Sequence, residues 1–165
     1  MAGERVLEGA EAHITQIGIV VKDLEKAIAY FSSLGLGPFS VRTGVHPTAT
    51  VRGKIVSYEV KIGTSQQGSI ELELVEYLKG VTIHEEFLRE KGEGLHHIRF
   101  RVKDIDAALE KFAEKGIGVL QEDRFVGGGG IAYLDTAKIG GTILELSQPP
   151  VKYDPQEGFR YAIRK

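Results

Sequence analysis

The chain has 165 residues, enough for one domain or for two small halves that share a core. Hydrophobic residues make up 42% and charged ones 27%, with a net charge of −2; this is a globular profile without the basic patch that nucleic-acid binding requires. There is no cysteine, which excludes disulfides, thiolate ligands and a cysteine nucleophile, so any metal must be held by nitrogen and oxygen.

The segment from Met1 to Glu11 is charged and lacks the apolar run of roughly 7–15 residues that marks a signal peptide. No stretch reaches the ~18 apolar residues that cross a bilayer. The expectation is a cytoplasmic protein without a membrane partner.

The first predicted element is an alternating run in which Ile17, Ile19 and Val21 share one face. It ends at Asp23, suited to cap a helix that carries Leu24, Ala27, Ile28 and Phe31 on one side and stops at Gly35. Three strand-like runs follow: Gly37 to Thr43, Arg52 to Ile62 and Ser69 to Glu76. Thr82 to Lys91 then reads as a short linking helix.

From this point the chain repeats itself. Gln16 to Gly37, QIGIVVKDLEKAIAYFSSLGLG, aligns without a gap on His97 to Gly118, HIRFRVKDIDAALEKFAEKGIG, at an offset of 81 residues (97 minus 16). Ile98, Phe100 and Val102 form the second alternating face, Asp104 the second cap, and Ile105, Ala108, Leu109 and Phe112 the second helical stripe, with Gly116 at its end. Gly118 to Val126, Ile131 to Asp135 and Thr142 to Ser147 are the second set of strands. Gly127 to Gly130 lacks the strand and helix that flank a nucleotide-binding loop and reads as a hairpin loop, with a lid or an approach to a ligand phosphate as the alternative. The organisation is one domain over residues 12–149: a first module at 14–78, the linking helix at 82–91, a second module at 95–149, and an irregular tail at 150–165.

Strand parity selects candidate site residues. If Ile17, Ile19 and Val21 pack on their helix, Gln16 faces the other side, and the repeat puts His97 in the equivalent place. Glu73 lies between Leu72 and Leu74, and Glu145 between Leu144 and Leu146. A carboxylate in an apolar strand costs several kcal/mol if it is dry and unpaired, and a shared cation is the simplest partner for two of them. Gln16, Glu73, His97 and Glu145 form a nitrogen and oxygen set suited to Zn²⁺, Ni²⁺, Co²⁺ or Mn²⁺. The alternative is an open sheet from which both glutamates point to solvent. Arg99 and Arg101 share the parity of His97, so either could meet a substrate carboxylate or phosphate or lie at the solvent end of the strand. His96 has the opposite parity and reads as packing or as a hydrogen-bond partner. His46 reads as a solvated loop residue beside Pro47, with a catalytic base as the alternative, and His13 and His84 as surface residues.

The stretches IGIVVKDLEKAI from Ile17, GEGLHHIRFRVKDID from Gly92 and GGTILELSQP from Gly140 resemble the vicinal oxygen chelate superfamily, which includes glyoxalase I, methylmalonyl-CoA epimerase, extradiol dioxygenases and bleomycin-resistance proteins. The run LELVEYLKGVTIHEEFLREKGEGLHHI from Leu72 is most similar to the epimerase branch. The resemblance implies an α+β fold of paired βαβββ modules, with eight strands in a cupped mixed sheet around a metal site. It also implies Gln16, Glu73, His97 and Glu145 as metal ligands, with Glu145 and Glu73 as acid–base groups. Epimerases usually carry His where this chain has Gln16, and often an acidic residue in the segment that here reads Val45-His46-Pro47-Thr48; Gln with Glu, His and Glu is similar to the glyoxalase I pattern.

The implied function is a divalent-metal-dependent isomerase or epimerase that moves a proton next to a carbonyl, with an acyl-CoA as substrate. A glyoxalase I-type lyase acting on a thiol-linked hemithioacetal competes, on the ligand set. A non-catalytic small-molecule-binding relative and an Fe(II) dioxygenase follow, the last disfavoured because its facial triad needs two His. Family relatives imply a homodimer, and the cup could close within one chain or by exchange of modules.

Overall fold

Two copies of a β-α-β-β-β unit follow one another along the chain and close a single sheet. The computed structural model describes residues 5–8, 12–138, 140–151 and 161–162. The first unit is β1 (Ile14–Val21), α1 (Leu24–Ser33), β2 (Ser40–Val51), β3 (Lys54–Gln67) and β4 (Ile70–Gly80). α2 (Ile83–Lys91) links it to β5 (Gly94–Arg101), α3 (Ile105–Glu114), β6 (Val119–Arg124), β7 (Gly130–Leu134) and β8 (Ile143–Gln148).

The repeat predicts the helix boundaries because the same side chains set them twice. The Asp23 carboxylate accepts from the Lys26 N–H and that of Asp104 from the Ala107 N–H, both at 3.0 Å. Each satisfies a donor that the first turn leaves unpaired. Both helices end in a Schellman turn: the Leu36 N–H donates to the Phe31 carbonyl and the Ile117 N–H to that of Phe112. Gly35 (φ 88°) and Gly116 (φ 73°) occupy the left-handed position this turn requires. The first residue of each helix, Leu24 and Ile105, is fully buried. α1 packs with Val21 and Leu74, and α3 with Val102, Leu134 and Leu146, on the outside of the sheet. Burying a side chain of this size stabilises by about 1.5–3 kcal/mol.

The strands run β1-β4-β3-β2-β6-β7-β8-β5 and close into a barrel. The modules meet at two seams. At one, β1 and β5 pair antiparallel along their length; at the other, β2 and β6 meet only at Thr50–Glu122 and Val51–Gln121. All of this is built within one chain. The N-terminal turn of α2 plugs the end of the barrel where β4 stops and β5 starts, with Ile83 packed on Val51, Tyr133 and Ile143.

One expectation needs correction. The strand expected at Gly37 to Thr43 starts at Ser40 and runs on to Val51, so His46 is a strand residue and not a loop one. Its register with β3 shifts between His46 and Ala49, which absorbs Pro47 at a position where no ladder hydrogen bond is needed. The tail expected to be irregular lies mostly outside the described residues; within it Tyr161 makes an isolated bridge to Phe125 and the Ala162 N–H donates to the Arg124 carbonyl at 2.7 Å. Among the described residues no helix is long and apolar enough to cross a membrane.

Replacing either cap tests the duplicated design. Asp104→Ala is expected to lower unfolding free energy by about 1 kcal/mol, read from the urea midpoint at unchanged slope, and Asp23→Ala is expected to lower the midpoint as well.

Candidate active site

Two neighbouring rungs of the inward face carry the site. Across β4, β1, β5 and β8 one rung reads Glu71, Gln16, Arg99, Glu145, and the next reads Glu73, Gly18, His97, Ile143. Gly18 is the reason the second rung can hold an imidazole. A Cβ there would lie only 2.0 Å from His97 Cε1 and 2.1 Å from Nε2, so the missing side chain lets His97 lie across β1 toward Glu73.

The four residues selected by parity come together around one atom. His97 Nε2 lies 3.1 Å from Glu145 Oε2, 3.3 Å from Glu73 Oε2 and 3.3 Å from Gln16 Oε1. All four are buried. The Gln16 amide is oriented by its own Nε2, which donates to Glu71 Oε1 at 2.6 Å and leaves its oxygen facing the imidazole. Arg99 Nη2 donates to the same Glu71 oxygen at 3.1 Å. Sequence reasoning missed Glu71, although it has the parity of Glu73 and lies opposite Gln16 in the ladder.

One N–H cannot satisfy three oxygens, and Glu145 Oε2 is buried without a hydrogen bond. Three oxygens and one nitrogen converging in this way fit a divalent cation of the Zn, Ni, Co or Mn kind. The other face of the ring is also prepared, since His97 Nδ1 lies 2.9 Å from His96 Nδ1 and can donate to it when Nε2 serves as a ligand. His96 is thus the hydrogen-bond partner its parity allows.

His84, expected at the surface, is buried at the mouth of the plug. The Thr82 hydroxyl caps α2 beside it and donates to Gln121 Oε1 at 2.9 Å, which pulls the first turn into the barrel. The amphipathic spacing of α2 gives no sign of this, because His84 is held by a tertiary cap. His84, His96 and His97 bring one ring nitrogen each within 4.8 Å of one another, a second set that could hold an ion. His13 is exposed, as expected. Arg101 is also exposed, and Arg99 lies partly buried beside the carboxylates.

Electrostatics follow from this packing. Burial alone would push the His97 imidazolium down, but the Glu145 and Glu73 carboxylates outweigh it and raise its pKa to about 9. Burial would raise Glu73, and the charges of His97, Arg99 and Arg42 hold it at about 2. Burial, helped by the His97 charge, pushes His84 down to about 3, and His96 is likewise depressed by burial and by His84.

Two cavities give access. One of 60 Å³ is lined by Glu73, Glu145, Arg99, Tyr133, His46 and Tyr161, among others. The other, of 450 Å³, opens at the barrel end away from α2 and is lined by Gln16, Glu71, Arg42, Arg99 and Arg101. Three guanidinium groups there suit an anionic substrate group.

These shifts set the pH dependence of stability in protein held in chelator. Between pH 6.5 and 9 the folded state keeps a proton on His97 that the unfolded chain has lost, so stability falls as pH rises through that window. His97→Gln is expected to remove this dependence. Below pH 6.5 the unfolded chain takes protons that buried His84 and His96 refuse, so stability falls again toward pH 3. Thermal midpoints across this range would read both limbs.

Residues 15–134 match the family model described as Glyoxalase/Bleomycin resistance protein/Dioxygenase superfamily. Among curated proteins the chain is 28% identical over 141 residues to the uncharacterized protein YqjC of Bacillus subtilis, covering 82% of this chain and 91% of that one. It is 28% identical over 138 residues to the human mitochondrial methylmalonyl-CoA epimerase, covering 82% of this chain and 73% of the relative. Among solved structures, a Streptomyces coelicolor methylmalonyl-CoA epimerase variant in complex with 2-nitronate-propionyl-CoA superposes with a TM-score of 0.58 at 25% identity, over 87% of this chain and 98% of that one. The paired modules, the closed sheet and the family match agree: the chain belongs to the glyoxalase/bleomycin resistance/dioxygenase superfamily, the vicinal oxygen chelate proteins.

Proposed function

We propose that this protein is a divalent-metal-dependent isomerase of the epimerase type, which moves a proton at the carbon next to the carbonyl of an acyl-CoA thioester. The observation that carries the reading is the pair of buried carboxylates, Glu73 and Glu145, brought from different modules onto one imidazole nitrogen. The named relatives that act on or bind acyl-CoA compounds support the substrate class.

Gln16, Glu73, His97 and Glu145 would hold the metal. When bound, the cation supplies Lewis-acid stabilisation of the negative charge that develops on the carbonyl oxygen. The chain's own groups do the rest. Glu145 acts as a base at the α-carbon: the C–H bond breaks, the proton goes to the carboxylate and the electron pair moves toward the carbonyl. Glu73 shares the donor set and is the second carboxylate within reach of the same cavity. Arg99 lines both cavities and meets a carboxylate or phosphate of the substrate. Tyr133 lines the cavity and packs on Ile83 of α2, and this apolar wall would keep water from the reacting carbon.

A glyoxalase I-type lyase acting on a hemithioacetal is the second reading, favoured by the amide oxygen of Gln16 in the donor set. The two share proton transfer beside a carbonyl and differ in the group carried on sulfur.

Elemental analysis followed by metal-loaded assays distinguishes them. Solvent-deuterium uptake into methylmalonyl-CoA is the expected result; turnover of methylglyoxal with glutathione instead would select the lyase. A protein that binds no metal and turns over neither would be a non-catalytic binder. Glu145→Gln is expected to lower turnover by about 10²–10⁴-fold, and an unchanged rate would remove it as base. Gly18→Ala, which drives a methyl group into the His97 ring, is expected to weaken metal binding at least about tenfold, in line with the loss of ligand orientation; calorimetric titration measures it.

A further inference from the structure

The second seam of the barrel carries a buried acid–imidazole pair that the carboxylate chemistry above does not use. His46 Nδ1 lies 2.9 Å from Asp123 Oδ1, and Tyr58 donates its hydroxyl to Asp123 Oδ2 at 2.8 Å. His46, Asp123 and Tyr58 are each no more than 3% exposed. The imidazole is stacked on Tyr58 with ring centroids 4.1 Å apart and is covered by Tyr161 at the same distance. Its position and tilt are therefore fixed from both faces.

The pair is also polarised. In the tautomer that donates Nδ1–H to the Asp123 carboxyl, the lone pair of the ring resides on Nε2. That nitrogen is buried and has no hydrogen-bond partner among the described residues. An unsatisfied buried acceptor is costly, and a ligand in the cavity would satisfy it. Gly44 keeps the space clear, since a Cβ there would sit 3.0 Å from Nε2. This matches the way Gly18 makes room for His97 at the other seam.

Position completes the case. In the closed strand order β2 stands four strands from β5 in either direction, so His46 and His97 occupy opposing walls. His46 nevertheless lines the same 60 Å³ cavity as Glu73 and Glu145. Inverting a carbon centre requires one group to take a proton from one face and another to deliver a proton to the opposite face. Glu73 and Glu145 both converge on the His97 nitrogen and so approach from one side.

We propose that His46 is the acid–base group for the substrate face opposite Glu145, with Asp123 as its positioning residue. The inference rests on the proton-transfer reading above. In one direction the α C–H bond breaks, its proton forms the N–H bond at His46 Nε2, and its electron pair moves toward the carbonyl. Protonated Glu145 then delivers its proton to the other face of the same carbon. The enzyme is left with His46 protonated and Glu145 ionised, and a proton exchanged with solvent at each restores the starting state.

The test follows α-deuterium exchange in D₂O, with metal-loaded protein and each enantiomer of methylmalonyl-CoA separately. In His46→Gln, exchange of one enantiomer and net epimerisation are expected to fall by about 10²–10⁴-fold, while exchange of the other enantiomer persists through Glu145. Glu145→Gln is expected to show the reverse preference. Equal exchange of both enantiomers by His46→Gln at the wild-type rate overturns the proposal. No exchange by the wild-type protein overturns the functional reading instead, so the two failures are distinct. Asp123→Asn keeps the side-chain volume and serves if His46→Gln does not fold. It is expected to lower kcat for the same enantiomer without raising KM, and an unchanged kcat overturns the role of the pair.

Discussion

Everything at the centre of this protein depends on one imidazole placed where three oxygens meet. His97 Nε2 has Glu145, Glu73 and Gln16 within 3.3 Å in a setting that burial has dried. Two carboxylates in such a place repel one another and lose their water, so the arrangement is tolerable only with positive charge between them. A proton on the imidazole provides that charge, and a divalent cation would provide more. The rest of the site serves this requirement: Gly18 yields the space, Glu71 turns the amide, Arg99 adds charge at the edge, and His96 orients the ring from behind.

The duplicated architecture explains why the donors converge. Each module is too small to close a cup, and each supplies inward side chains from its first and last strands. Pairing β1 with β5 places these strands side by side, with β4 and β8 flanking them. The other seam is short, two residue pairs long, and is supported from within by α2 and by the Thr82–Gln121 contact. The two seams have diverged in chemistry. One gathers oxygens around a nitrogen, and the other fixes a single imidazole against a carboxylate and two phenols.

The fold was legible from the repeat because identical punctuation residues do identical work in both copies. Asp23 and Asp104 cap, Gly35 and Gly116 terminate, and the apolar stripes of α1 and α3 face the sheet. Alternation placed Gln16, Glu73, His97 and Glu145 on one inner face because strand parity is a local property. Where alternation is weak, the reading failed. Val119–Arg124 reads VLQEDR, with polar residues at both parities, and nothing in it marks Gln121 and Asp123 as the buried pair. In β2 Pro47 suggested a loop, and the register shift that accommodates it arises only when β3 lies alongside.

The sequence by itself determined the two modules, their helix ends and the inner face on which the four candidate ligands lie, since each depends on neighbours within a few residues. Only the tertiary structure decided which side chains touch. The pairing register puts Gly18 between Glu73 and His97, the cap from Gln121 draws His84 inward, and closure of the barrel brings Asp123 to His46 from 77 positions away in the chain. Those contacts join segments far apart in the chain, and their partners are set by how the sheet closes, which no local pattern encodes.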